Sequence, residues 1–331
     1  MNAIFKVLWN KARGQFVATD ETKTAFGKGK VRSTVQKGLS TLLLSALAAG
    51  SVSAAGVVSG WGSTTVTADQ ANKVLNVTTS KYVNDGKTGI NKFREFTVNA
   101  DQIANLQFGT SQQLLNLVNA KIEIDGVVNA VKNNKIGGDL YFVSPVGMVG
   151  GTTGVINAGS LTTTITTQDQ FNTWSNLANG DQPRTFNDAF LQNLRTGDGV
   201  PINPAGVITV KGSINAGNSL ALLAGSVQIT SGARLTTGVT NFQDLVNIRG
   251  ADGQVTTSAN LEKELAFETD PDTGDVLLFA RAAGDLAADA ETQTPESGEK
   301  TDGKGTAVAA SVVVEEGAVV KAAGDLTAKA Y

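Results

Sequence analysis

The chain has 331 residues, a net charge of −3, no cysteine and no histidine. A disulfide framework is therefore excluded, and so are Ser/His/Asp and Cys/His catalysis and histidine ligation of zinc. Residues 1–54 carry eight Lys/Arg and two acids, a charge of +6, which leaves 19 bases against 28 acids, or −9, in the rest. The acidic bulk of the chain is a poor match for a phosphate backbone, so no nucleic acid is expected among its partners.

Residues 39–49 (LSTLLLSALAA) form an apolar run, with Lys28, Lys30, Arg32 and Lys37 before it and Val52, Ser53, Ala54 and Ala55 after it. A basic region, an apolar region and a small-residue site in that order read as a secretory signal, cut after Ala54 or one residue later. The run is too short for a bilayer span, which takes ~20 residues. An ordinary signal peptide takes ~15–30 residues, yet here an extra stretch, 1–32, precedes the usual basic region. That stretch holds Ile4-Phe5-Lys6-Val7-Leu8-Trp9-Asn10, Lys11-Ala12-Arg13-Gly14, Phe16-Val17-Ala18 and a Lys/Arg-rich end. It resembles the extended signal peptide region of type V secretion proteins in Gram-negative bacteria, over about a tenth of the chain. Such extensions head large exoproteins, both autotransporters and two-partner secretion substrates.

After the signal, short β-branched runs alternate with Gly, Asn, Asp and Ser, at 73–79, 93–98, 121–124, 139–143, 206–210, 219–223 and 226–230. Each predicts a strand. The many asparagines can stack into side-chain ladders between parallel rungs. Ile208 and Val210 align with Val227 and Ile229 at a short offset, and 317–328 repeats the style. A repeat near 20 residues suits one coil of a solenoid with Gly or Asn corners; the alternative is a β-sandwich with regular hairpins.

Two segments break the pattern. Phe171, Trp174 and Leu177 are three apart in 168–178, with Gly180 as a stop; Phe186, Phe190 and Leu194 are four apart, before Gly197. Both predict short amphipathic helices, whose aromatic faces serve packing on the sheet in preference to a ligand groove. A weaker helical stretch is 258–265. The run 270–275 (DPDTGD) departs from the EF-hand pattern and reads as a hairpin turn between flanking strands, in preference to a calcium loop. Residues 287–305 are polar and charged and read as a linker or loop. No catalytic residue, metal site or cofactor is expected.

Residues 126–161 read GVVNAVKNNKIGGDLYFVSPVGMVGGTTGVINAGSL. They resemble the haemagglutination-activity domain of filamentous haemagglutinin-type two-partner secretion exoproteins. Tyr141-Phe142-Val143 matches a strand, Ser144-Pro145-Val146-Gly147-Met148 stands where that family has Asn-Pro-Asn-Gly-Ile, and 155–161 supplies the next rung. Residues 91–98 look like the family's "F…F-x-V" strand, and Leu117-Val118-Asn119-Ala120 like the rung after it. Ser144 and Val146 replace both asparagines, while Pro145 and Gly147 keep the turn's backbone. This departure, with the opening segments, resembles the leukotoxin-like filamentous adhesin branch.

The resemblance implies an all-β, right-handed parallel β-helix with short helical excursions on its side. It implies an extended signal over 1–55, a secretion domain over 56–285, a linker over 286–305 and the start of further repeats over 306–331. It implies export by the Sec machinery to the periplasm, then passage through a cognate outer-membrane β-barrel transporter with periplasmic docking modules. Ser144–Met148 would then be an exposed turn near the transporter-binding surface. The product would be a secreted or surface adhesin with a host-surface ligand; the alternatives are the head of a contact-dependent toxin, haemolysin or leukotoxin, and, more remotely, a β-helix polysaccharide-active enzyme.

Overall fold

The computed structural model describes residues 6–10, 15–19, 57–69, 73–180, 185–240, 242, 274–282 and 310–331. The protein is mostly β, with parallel strands stacked in three columns around one apolar core. The first column runs through Thr88–Val98, Gln113–Val118, Asp139–Ser144, Ser160–Ile165, Leu220–Ala224, Val276–Ala280 and Leu326–Ala330. The second runs through Ile122–Ile124, Gly147–Gly150, Val207–Val210, Ser226–Ile229 and Ser311–Glu315, and starts on the end of Thr88–Val98. The third runs through Val74–Thr79, Ile103–Gln107, Val127–Lys132, Val155–Ala158, Ser213–Ala216, Arg234–Thr236 and Val319–Lys321. From Gln113 onward the chain visits the columns in that cyclic order, an arrangement compatible with a parallel β-helix.

The register follows from alternation along each strand. In the second column Ile122, Met148, Ile208 and Val227 lie side by side and are fully buried. The predicted match of Ile208 and Val210 to Val227 and Ile229 is a direct strand pairing. Phe93 and Phe96, both fully buried, pack edge to face with centroids 5.1 Å apart, and Phe96 reaches Phe142 at 5.2 Å. The expected asparagine ladder exists in the third column. Asn105 donates to Asn76 at 3.3 Å, Asn129 to Asn105 at 3.1 Å, and Asn157 to Asn129 and Asn215 to Asn157 at 3.0 Å each. The three inner amides, Asn105, Asn129 and Asn157, each both give and accept, so the buried middle of the line is satisfied by the ladder itself.

The N-terminal end of the stack is closed by antiparallel strands. Thr64–Asp69 pairs with Val74–Thr79, and both Val58–Gly60 and Tyr82–Val83 pair with Thr88–Val98. One expectation is corrected here. Val276–Ala280 is flanked in parallel by Leu220–Ala224 and Leu326–Ala330. Both its edges are taken, so it cannot be the second arm of a hairpin turning at 270–275. The predicted stretches 39–49, 258–265 and 287–305, like Ala54 and Ala55, lie outside the described residues.

Candidate functional site

The two predicted helices form and share one insertion. Helix α1 is Gln168–Leu177, with the Thr167 hydroxyl accepting from the Gln170 N–H. Helix α2 is Asp188–Thr196, capped by Asn187 at its start and ended by Gly197 in the left-handed conformation. Asp169 and Asp188 in the first turns oppose the positive ends of the helix dipoles. Phe171, Trp174, Phe186, Leu191 and Leu194 are buried against the outward residues of the first column, among them Leu115, Leu117, Tyr141, Val143 and Leu223. The aromatic face is thus a packing face. Arg195 of α2 donates to the Tyr141 hydroxyl at 2.9 Å and lies 3.6 Å from the Asp139 carboxylate. Burial pushes the Tyr141 phenol up, and the neighbouring guanidinium pulls against that shift.

Lys92 ties this insertion to the N-terminal cap. It is 3% exposed. Its ammonium donates to the Asn179 side chain and lies 3.5 Å from the Ser175 carbonyl, at the C-terminal end of α1. It also sits 5.0 Å from the Trp61 ring centre, and its backbone pairs with Trp61 and Thr64. Burial lowers the Lys92 pKa. The folded state therefore binds its proton less well than the unfolded state, and stability rises with pH from the lowered folded value up to the ordinary lysine value. Urea unfolding between pH 7 and 10.5 should show this gain in the wild type, and Lys92→Met should abolish it.

The predicted recognition turn forms the corner between the first and second columns. Of its five residues only Val146 is exposed, at 49%; Ser144, Pro145, Gly147 and Met148 are buried. This corrects the expectation of an exposed turn. Neighbouring corners grip it from both sides. The Ser144 hydroxyl donates to the Ala120 carbonyl at 2.7 Å and accepts from the N–H groups of Val146 and Gly147 at 3.0 and 3.3 Å. From the next coil, Asn203 donates to the Pro145 carbonyl at 2.8 Å. Ser144 thus holds the tight turn with its own side chain. Gly147 has φ +151°, and a Cβ there would lie 2.7 Å from the Val207 carbonyl oxygen.

The helical insertion leaves and returns at the equivalent corner one coil later. Thr166 bridges Ile202 antiparallel, its hydroxyl donates to the Pro201 carbonyl at 2.6 Å, and Asn203 N–H donates to the Ile165 carbonyl at 2.9 Å. The neck is closed, and Asn203 links it to the Pro145 corner. Sequence reasoning missed Asn203 and Lys92, because both act across large sequence separations. Corner, neck and docked helices are tied together on one side of the stack.

Such a stacked β architecture behind a basic, apolar-cored leader is the build of an exported protein. The family described as Extended Signal Peptide of Type V secretion system matches residues 1–53. The match ends one residue short of Ala54. The leader directs the chain by the Sec route to the periplasm of a Gram-negative bacterium and on to an outer-membrane transporter, for secretion or surface display. No curated protein matches the chain.

Proposed function

We propose that this chain is an adhesin-type exoprotein of the two-partner secretion kind, related to filamentous haemagglutinin, and that its described part is a right-handed parallel β-helix. The observation that carries this reading is the combination of the type V leader over 1–53 with parallel columns in continuous register. The leader alone serves autotransporters as well. The resemblance of 126–161 and 91–98 to the haemagglutination-activity domain favours two-partner export through a cognate β-barrel with periplasmic docking modules. Downstream repeats would then serve adhesion to a host surface, or carry a toxin along the same route.

The physical logic of export supports the reading. A stack in which each coil contacts its neighbours folds from one end as chain emerges. The antiparallel strands at the N-terminal end close that end first. Folding outside the membrane then biases exit without any other energy source. A chain with no cysteine forms no disulfide in the oxidising periplasm before it crosses.

Activity on this reading is binding without turnover. Ser144, Pro145, Val146, Gly147 and Met148 form a corner that sets the fold near the docking surface, with Val146 alone presenting a side chain. The test is co-expression with and without an outer-membrane transporter of the two-partner class. The expected result is transporter-dependent appearance in the medium of a chain that starts at Ala55 or Gly56. Release into the medium without any transporter, or a start near residue 33, would contradict the proposal.

A further inference from the structure

Asn179-Gly180 is the only Asn-Gly dipeptide in the sequence. It follows the end of α1, and both residues are exposed. Two lysines close on it from the N-terminal part of the stack. Lys92, on Thr88–Val98, donates to the Asn179 side-chain oxygen, and Lys81, just before Tyr82–Val83, donates to the Gly180 carbonyl at 3.0 Å. The partners are 87 and 99 positions apart, so only the folded chain brings them together. The Gly180 N–H is held by one long bond, 3.2 Å to the Leu177 carbonyl, at a helix end. Lys92 is 3% exposed. Among the described residues its ammonium meets neutral groups: the Asn179 amide, the Ser175 carbonyl at 3.5 Å and the Trp61 ring at 5.0 Å.

We propose that Asn179 converts itself to an acid once the chain has folded, with the Lys92 ammonium stabilising the negative charge that forms on the Asn179 side-chain oxygen. The Gly180 nitrogen attacks the Asn179 side-chain carbon, and glycine has no Cβ to hinder the approach. The new C–N bond places negative charge on the side-chain oxygen, where Lys92 already points. A positioned donor of that kind stabilises an oxyanion without reorganising. The bond to the amide nitrogen then breaks, and the proton of the Gly180 N–H leaves with that nitrogen as ammonia. Water reaches this exposed dipeptide and opens the cyclic imide: its hydroxyl adds to one carbonyl carbon and its proton goes to the ring nitrogen. Opening at the side-chain carbon gives an aspartate at 179, and opening at the main-chain carbon gives the iso-aspartyl isomer. Either product sets a carboxylate beside Lys92. A buried cation met by neutral groups thereby gains an opposite charge, and the end of α1 is tied more firmly to Thr88–Val98. The step needs only the folded stack and its insertion, whatever route exports the chain.

Peptide mapping by mass spectrometry, on purified chain held in neutral buffer, follows the change from amide to acid at residue 179. Folded wild type should convert faster than the same chain unfolded in guanidinium, by about tenfold or more. Lys92→Met should lose that advantage in the fold and match the wild type in guanidinium. Asn179→Asp supplies the product directly. It should raise the denaturation midpoint above that of freshly purified wild type, and should give no rise when combined with Lys92→Met. Conversion no faster in the fold than in guanidinium, a folded Lys92→Met chain that converts as fast as the wild type, or an Asn179→Asp chain no more stable than the wild type would each overturn the proposal. If Lys92→Met does not fold, the two wild-type rates and the Asn179→Asp midpoint decide.

Discussion

Gly147→Val is expected to destabilise the chain by about 3 kcal/mol and to cut the amount secreted far below that of a change such as Glu299→Ala in the polar 287–305 run. Two costs combine. A β-branched residue at φ +151° is strained by about 1–3 kcal/mol. The new Cβ also meets the Val207 carbonyl oxygen at 2.7 Å, and overpacking a closed corner costs a further 1–3 kcal/mol or so. The Val207 carbonyl cannot retreat, since Val207–Val210 is held in register on both sides. Chemical denaturation of purified chain gives the stability term, and the ratio of medium to periplasm gives the secretion term. Unchanged secretion with the stability loss present would show that the corner is a connector with no bearing on exit.

The second large effect belongs to the asparagine ladder. Asn157→Ala should cost about 3 kcal/mol, because it strands the Asn215 amide donor and the Asn129 amide acceptor, each buried, and each unsatisfied group costs about 1–3 kcal/mol. Asn76→Ala, at the half-buried end of the ladder, removes one link and should cost about 1 kcal/mol. Urea midpoints for the two variants rank the effects. Equal losses at the two sites would mean that the ladder is not a continuous buried line.

Much of the fold was legible because strand alternation and turn residues are local. The strands near 73–79, 139–143, 206–210 and 226–230 fall within a residue or two of the observed bounds. Both helices were readable from their apolar spacing and caps. The repeat itself was nearly invisible. Ladder asparagines one coil apart are separated by 24 residues between Asn105 and Asn129, by 28 between Asn129 and Asn157, and by 58 between Asn157 and Asn215, where the helical insertion intervenes. Only the uninterrupted coil from Ile208 to Val227 kept a short period. The burial of Ser144 and Pro145 could not be read, because it depends on Ala120 and Asn203 from neighbouring coils. Nor could the pairing of Val276–Ala280, since a strand's composition does not reveal whether its neighbours are parallel. The leader was the most legible part of all, being defined by linear order of charge and apolarity without any tertiary contact.

A secreted chain stacked as parallel coils in a fixed register is tested most directly by the double substitution Thr209→Cys with Gln228→Cys, in a chain that has no other cysteine. Thr209 and Gln228 are direct partners on adjacent parallel strands, both half-buried on the outer side of the second column. Disulfide geometry demands Cα atoms about 4.4–6.8 Å apart, a spacing that in-register neighbours meet. Mass spectrometry after mild oxidation of chain collected from the medium should find that cross-link in most molecules, and little in the shifted pair Thr209→Cys with Ser226→Cys. Equal cross-linking of both pairs, or of neither, would contradict the account.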